Sequence, residues 1–385
     1  MTNESSLPRW IARPGARLWS TASPTGEAMA FHATFPGYAP TPLVELPPLA
    51  TGLDVGRVCV KDESSRLRLP AFKVLGVSWG VFRTLAARAD EEASPATLHR
   101  LRELADQIGP LELVTATDGN HGRALAHIAT MLRLASHVFV PDDLSPVAIQ
   151  AIEGEGASVT RIDGTYDDAV RLAARYAGSD PARMLIQDTA WEGYMDIPAW
   201  IIDGYGTLFQ EARAQLREAG IAQPDLIVIP TGVGSLLQAA ITFARSTFAG
   251  SGPAVLSVEP ASAACVLASL EAGTRTQIAT RHTVMAGLNA GAPSLLAWPA
   301  IAQGLDAAVA VDDGAAREAM AELAALGIVA GPCGSASLAG ARALLSGPGG
   351  QERRDALGIG PDASVLLVST DGRASVSASQ RRVIQ

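Results

Sequence analysis

A chain of 385 residues, 48% hydrophobic and 18% charged, is long enough to fill two ordinary cores and reads as a compact globular protein. A formal net charge of −9 without a basic cluster argues against a nucleic-acid partner or an anionic membrane, and no window holds the roughly 18–20 apolar residues of a spanning helix. The start lacks a secretory pattern, and Cys59, Cys265 and Cys333 have no metal-ligand spacing, so no metal is expected and a reducing cytoplasm is the expected home. Residues 1–50, rich in Pro, Ser and Thr, are expected to form an arm packed over the body. Beyond them, apolar runs of strand length recur at 57–61, 111–116, 137–141, 157–162, 184–187, 225–230, 254–260 and 364–369. Segments of helical period lie between them, at 73–89, 121–134, 146–155, 166–177, 199–219, 233–246, 312–326 and 334–345. This alternation predicts an α/β fold of open, twisted, mostly parallel sheets with helices on both faces. Residues 80–205 are expected to close as a small α/β domain, with 1–79 giving the arm and first part of a larger domain and 206–385 its remainder.

Only two of the 30 basic side chains are lysines, Lys61 and Lys73. An amine is what arginine cannot supply, because its guanidinium stays protonated while a desolvated lysine can lose its proton and attack a carbonyl. Pro70 suits the first position of a helix, and Ala71, Phe72, Val74, Leu75 and Val77 surround Lys73 with apolar atoms. Burial there is expected to lower the lysine pKa, by up to about 3–5 units in the extreme. A codon bias that emptied the chain of lysine would leave the same pair, so the loops must decide.

In open parallel sheets ligands collect where strands give way to helices, and four such loops stand out. Thr115 to Gly122 carries two glycines, Asn120, His121 and Asp118; its N–H groups suit an anion and Asn120 a ring oxygen, or else Asp118 is a helix N-cap. Pro230 to Ser235 resembles a phosphate cradle without a lysine and matches neither GxxxxGK[ST] nor GxGxxG, which suits a cofactor that is kept. Gln187 to Tyr194 packs acidic and aromatic residues together, as a cleft lining does. Gly331 to Ser335 and Ser369 to Gly372 place hydroxyls and a thiol where they reach a heteroaromatic nitrogen or merely turn the chain.

These stretches resemble the tryptophan-synthase-like, or fold type II, group of pyridoxal-phosphate enzymes, and within it the diaminopropionate ammonia-lyase family. The likeness rests on KDES with PAFKVLG (61–64, 70–76), TDGNHGRALA (117–126), YDDAVRLA (166–173), QDTAWEGY with IPAWIIDGYGTL (187–194, 197–208), TGVGS (231–235), VMAGLNAGAPS (284–294) and STDG (369–372). It implies a two-domain fold and pyridoxal 5′-phosphate carried on Lys73, with its phosphate on Thr231, Gly232, Val233, Gly234 and Ser235. Asn120 would meet the phenolic oxygen, and Ser369 or Thr370, with Cys333 and Ser335 as second choice, the pyridine nitrogen. A neutral partner there favours elimination, whereas Asp371 would do the opposite.

The implied reaction is loss of ammonia from D- and L-2,3-diaminopropionate, giving aminoacrylate and then pyruvate and ammonia. Lys73 would serve as base on one face, with Asp118 and Asp188 as matching positions on the other. Thr117, Asp118, Gly119, His121, Asp188 and Tyr194 would surround this small amino-acid substrate, and a homodimer is expected. The alternatives are a serine or threonine dehydratase or a β-replacement synthase, and a cofactor-binding sensor. Dehydratases typically carry a small hydroxyl residue where Asp118 stands. Residues 67–70, LRLP, depart from the family pattern.

Overall fold

A computed structural model describes residues 8–23, 25–247 and 252–372. The described residues contain eleven strands: β1 (Trp10–Ala12), β2 (Leu43–Glu45), β3 (Arg57–Asp62), β4 (Glu112–Ala116), β5 (Ala135–Pro141), β6 (Ser158–Ile162), β7 (Arg183–Leu185), β8 (Leu226–Pro230), β9 (Ala254–Pro260), β10 (Ala307–Val311) and β11 (Ser364–Ser369). The chain divides into two compact units, one drawn from Met1–Pro24, Thr41–Glu63 and Glu211–Asp371, the other from Thr25–Pro40, Ser64–Gln210 and Gly372 onward.

The first unit holds a seven-stranded sheet in the order β1-β10-β9-β8-β11-β3-β2. The five inner strands run parallel and the two edges antiparallel. Every residue of β8 to β11 is buried, because helices cover both faces of a parallel sheet, and this is why β8, β9 and β11 stand out as largely apolar segments. The expected arm is in part sheet. Trp10 pairs with Val309 and Leu43 with Lys61, and such three-residue antiparallel edges are too short to announce themselves by alternation.

The second unit holds a parallel sheet in the order β6-β5-β4-β7. Its Lys73–Arg88 helix is buried along most of its length and lies against the start of the Asp196–Glu218 helix. Two glycines permit that approach: a Cβ on Gly204 would sit 2.6 Å from Leu75 O, and one on Gly76 would sit 2.4 Å from Tyr205 Cε1. Pro70 is not the first helical residue. The helix begins at Lys73 itself, and Pro70 O accepts from Gly372 N at 2.8 Å, which fixes the entry.

Candidate active site

Lys73 opens its helix, so its side chain leaves the first turn rather than an interior face. Its Nζ lies 2.5 Å from Asp188 Oδ2, with Asp188 coming from the loop after β7. The Lys73 side chain is 21% exposed and that of Asp188 only 4%. The Phe72 and Tyr205 rings flank the ammonium, with centroids at 5.3 and 5.8 Å. Sequence reasoning expected burial to lower the Lys73 pKa. Burial does act in that direction, but the Asp188 carboxylate outweighs it and holds the ammonium well above the ordinary lysine value. The partner lies 115 residues away, where no local pattern betrays it.

The same ammonium separates the two carboxylates of the site. Burial opposes ionisation of Asp188, yet Lys73 and then His121 pull its pKa down to about 2. Burial pushes Asp118 up to about 6, with Lys73 lowering and Asp188 raising it. Asp118 is not the helix cap that the sequence offered. The Thr117 hydroxyl accepts from Gly119 N (2.9 Å) and Gly122 N (3.0 Å) and secures the start of the Asn120–Leu132 helix. Gly119 takes φ +142°, a backbone that L side chains rarely adopt. Asn120 is the first residue of that helix and is half-buried; His121 follows, buried.

His121 Nε2 lies 2.9 Å from Ile186 O, and its Nδ1, buried without a hydrogen-bond partner, stands 3.7 Å from Asp188 Oδ2. Tyr194, expected to line the substrate, is held within its own loop. Its hydroxyl accepts from Gln187 N and donates to Leu185 O, both at 2.9 Å, and its ring stacks on Trp191 across a turn with Gly193 at φ +83°. Sequence reasoning passed over Gln187 and Tyr166 as site residues. Gln187 Oε1 accepts from Thr115 Oγ1 (2.8 Å) and Ala116 N (3.0 Å), leaving Nε2 to donate to the Tyr166 hydroxyl at 2.8 Å. Burial, then the charges of Asp188 and Asp118, hold the Tyr166 phenol well above its usual range. Tyr166 lies inside the capping box of Thr165 and Asp168, so the sequence presented it as an ordinary first helical residue.

In the first unit, residues 231–235 follow β8 and enter the Ser235–Thr247 helix, while Ser369 ends β11, the neighbouring strand. A Cβ on Gly232 would come within 3.2 Å of Gly287 O, and Gly234 adopts φ +94° with Ile301 Cδ1 2.8 Å from where its Cβ would be. Thr231 Oγ1 donates to Ile229 O at 3.0 Å, Val233 O accepts from Ser294 N at 2.8 Å, and Ser235 is buried.

The hydroxyls offered for a ring nitrogen differ in their commitments. Ser369 Oγ and Thr370 Oγ1 are buried without a hydrogen-bond partner. Ser335 Oγ is 3.1 Å from both Ala316 O and Pro332 O, and Cys333 is buried, its Sγ 3.3 Å from the place a Gly287 Cβ would take. Asp371 Oδ1 accepts from Gly334 N at 2.6 Å and so secures the start of the Pro332–Leu345 helix. Among the described residues, no cluster of His, Cys, Asp and Glu could hold a metal ion, and no helix is long and apolar enough to cross a membrane.

The family model for pyridoxal-phosphate dependent enzymes matches residues 34–371. The chain is similar to the diaminopropionate ammonia-lyase of Salmonella typhimurium, 35% identical over 360 residues that cover 91% of this chain and 89% of the relative. Its fold is similar to that of the holo diaminopropionate ammonia lyase of Escherichia coli, with TM-score 0.87, 31% identity, and coverage of 98% of this chain and 97% of that one. The Escherichia coli protein in complex with an aminoacrylate-PLP azomethine reaction intermediate gives a TM-score of 0.84 at 29% identity with the same coverage.

Proposed function

The chain belongs to the pyridoxal-phosphate dependent enzyme family, and from that premise we propose that it is an ammonia-lyase acting on D- and L-2,3-diaminopropionate, releasing ammonia and aminoacrylate, which hydrolyses to pyruvate and a second ammonia. The residues present fit the cofactor. Lys73 offers an amine to its aldehyde, and the glycine-bearing turn at 232–235, entering a helix, offers backbone N–H groups to its phosphate. The buried hydroxyls of Ser369 and Thr370 lack a partner of their own and suit its ring nitrogen, while Asn120 suits its phenolic oxygen. Neutral hydroxyls leave that nitrogen unprotonated, and Asp371, bound to Gly334 N, is committed elsewhere. When bound, pyridoxal phosphate supplies an electron sink for the charge left at the α-carbon as its proton departs.

The chain's own groups then divide the proton work. Lys73 must shed a proton to act as amine or base, and Asp188 Oδ2, at 2.5 Å, is placed to receive it. Asp118, held near pH 6, is mostly ionised at neutral pH yet basic enough to take a proton, and we assign it the face opposite Lys73. A carboxylate there also pairs with the substrate's second ammonium, which a dehydratase has no need to bind. The fixed Thr115–Gln187–Tyr166 chain orients the Tyr166 phenol, on which the charges of Asp188 and Asp118 bear. We further propose a cytoplasmic homodimer, consistent with three buried cysteines that form no disulfide among the described residues.

The observation that carries the reading is the contact of Lys73 Nζ with Asp188 Oδ2 at 2.5 Å, with the Asp118 carboxylate bearing on the same ammonium. Pyruvate detection with each isomer tests it. Both isomers should yield pyruvate, and Lys73→Ala should lower the rate by about 10³-fold or more. No turnover of either isomer, or faster consumption of L-serine, would overturn it.

A further inference from the structure

His121 has no assigned part in this proton traffic beyond lining the site, yet its two ring nitrogens are in unlike situations. Nε2 faces Ile186 O at 2.9 Å, and a carbonyl can only accept, so Nε2 carries the hydrogen and the neutral ring presents a bare lone pair at Nδ1. That nitrogen is buried, has no hydrogen-bond partner, and stands 3.7 Å from Asp188 Oδ2. The same carboxylate oxygen takes Lys73 Nζ at 2.5 Å. Two acceptors thus face each other with no hydrogen between them, a costly arrangement that one added proton would convert into a charge-assisted hydrogen bond.

We propose that His121 Nδ1 and Asp188 Oδ2 form a reserve site for the proton that leaves Lys73. An N–H bond of the ammonium breaks, the proton crosses Asp188 Oδ2, and a new N–H bond forms on Nδ1; the charges of Lys73 and His121 exchange and their sum stays the same. Asp188 therefore keeps a cationic partner at every stage, first the ammonium and then the imidazolium, and Lys73 becomes a neutral amine without drawing on solvent. His121 is on this account a positioning residue for Lys73 and Asp188. The charged groups that bear on its ring are Asp188, from the loop after β7, and Lys73, from the start of its helix. Burial is the largest influence keeping the ring neutral, Asp188 favours its charge and Lys73 opposes it, so removal of the lysine charge tips the balance toward protonation.

The inference rests on Lys73 being the amine that the reaction uses, but its test needs no turnover. With six histidines in the chain, the ring charge and tautomer of His121 can be followed by NMR of histidine-labelled protein without cofactor, assigned against His121→Gln. Lys73→Met should raise the His121 midpoint by about one pH unit or more and leave both ring nitrogens protonated below it. Adding Asp188→Asn to Lys73→Met should return the ring to the neutral Nε2-H form. A midpoint unmoved by Lys73→Met, or one that rises equally without the Asp188 carboxylate, would overturn the proposal. Lys73→Ala is read in the same way should the methionine variant not fold, and a merely structural histidine would keep its charge state in all of them.

Discussion

At the scale of single residues, the site works because one ammonium treats two carboxylates differently. Asp188 makes the direct contact and is drawn down to about 2, whereas Asp118 gains less from Lys73 than it loses to burial and the neighbouring charge, and rests at about 6. A base must be ionised to accept a proton, so its contribution grows as pH rises through its pKa. For the D-isomer, whose α-proton we assign to Asp118, kcat/KM should therefore rise through about pH 6, and Asp118→Asn should remove that rise and cost about 10²–10⁴-fold. For the L-isomer the same substitution should cost much less. Rate profiles for both isomers check this, and equal losses would leave Asp118 a binding role only. The sequence made both aspartates visible through the loops that carry them. It did not make visible which one touches Lys73, since that follows from where β7 ends, and it misjudged the lysine because burial was legible and the partner was not.

At the scale of elements, the lysine is placed by its entrance as much as by its helix. Arg66 and Leu69 exchange backbone hydrogen bonds of 2.8 and 2.9 Å around a two-residue turn, with φ of +49° at Leu67 and +69° at Arg68. A turn with both central residues at positive φ is the one that favours Asn and Gly, so the departure noted at residues 67–70 has a conformational meaning. An L residue in that region costs about 1–2 kcal/mol, while glycine adds about 0.4–1 kcal/mol of unfolded-chain entropy. Arg68 is exposed, so Arg68→Gly should stabilise the protein by about 0.5–1 kcal/mol. Urea unfolding measures this, and a loss of stability would show that the arginine side chain contributes more than its backbone costs. The same turn was illegible as a turn because neither leucine nor arginine signals one. The long apolar strands β8, β9 and β11 were legible because both faces are covered, while β10, an AAVAV segment, was not, since alanine carries little strand preference. The Leu98–Ile108 and Cys265–Ala272 helices lay between recognised segments and were passed over as connections.

At the scale of the whole molecule, a chain with two lysines has given them opposite tasks. Lys61 is fully buried, and its Nζ donates to Thr41 O (2.7 Å), Glu211 Oε2 (2.8 Å) and Gln215 Oε1 (2.8 Å). An ammonium has three hydrogens, and three oxygens receive them, so no capacity is left for a reagent. Freeing that amine would strand Glu211 as a buried carboxylate without its cation, a change that typically costs about 3–5 kcal/mol. Lys73 also pairs with a carboxylate, but its side chain is partly open to solvent, and we propose that its amine is the one released for the reaction. Codon bias alone would not sort two surviving lysines into one locked cation and one amine beside a proton acceptor. The distinction is chemical and therefore countable. Loading the native protein with pyridoxal phosphate and reducing it with borohydride should leave one pyridoxyl group on a lysine side chain, in the peptide that contains Lys73, and none on Lys61. Peptide mass analysis reads the result directly. Label on Lys61 in folded protein would mean that its three hydrogen bonds open under native conditions, and absence of label on Lys73 would remove the amine on which the proposed chemistry depends.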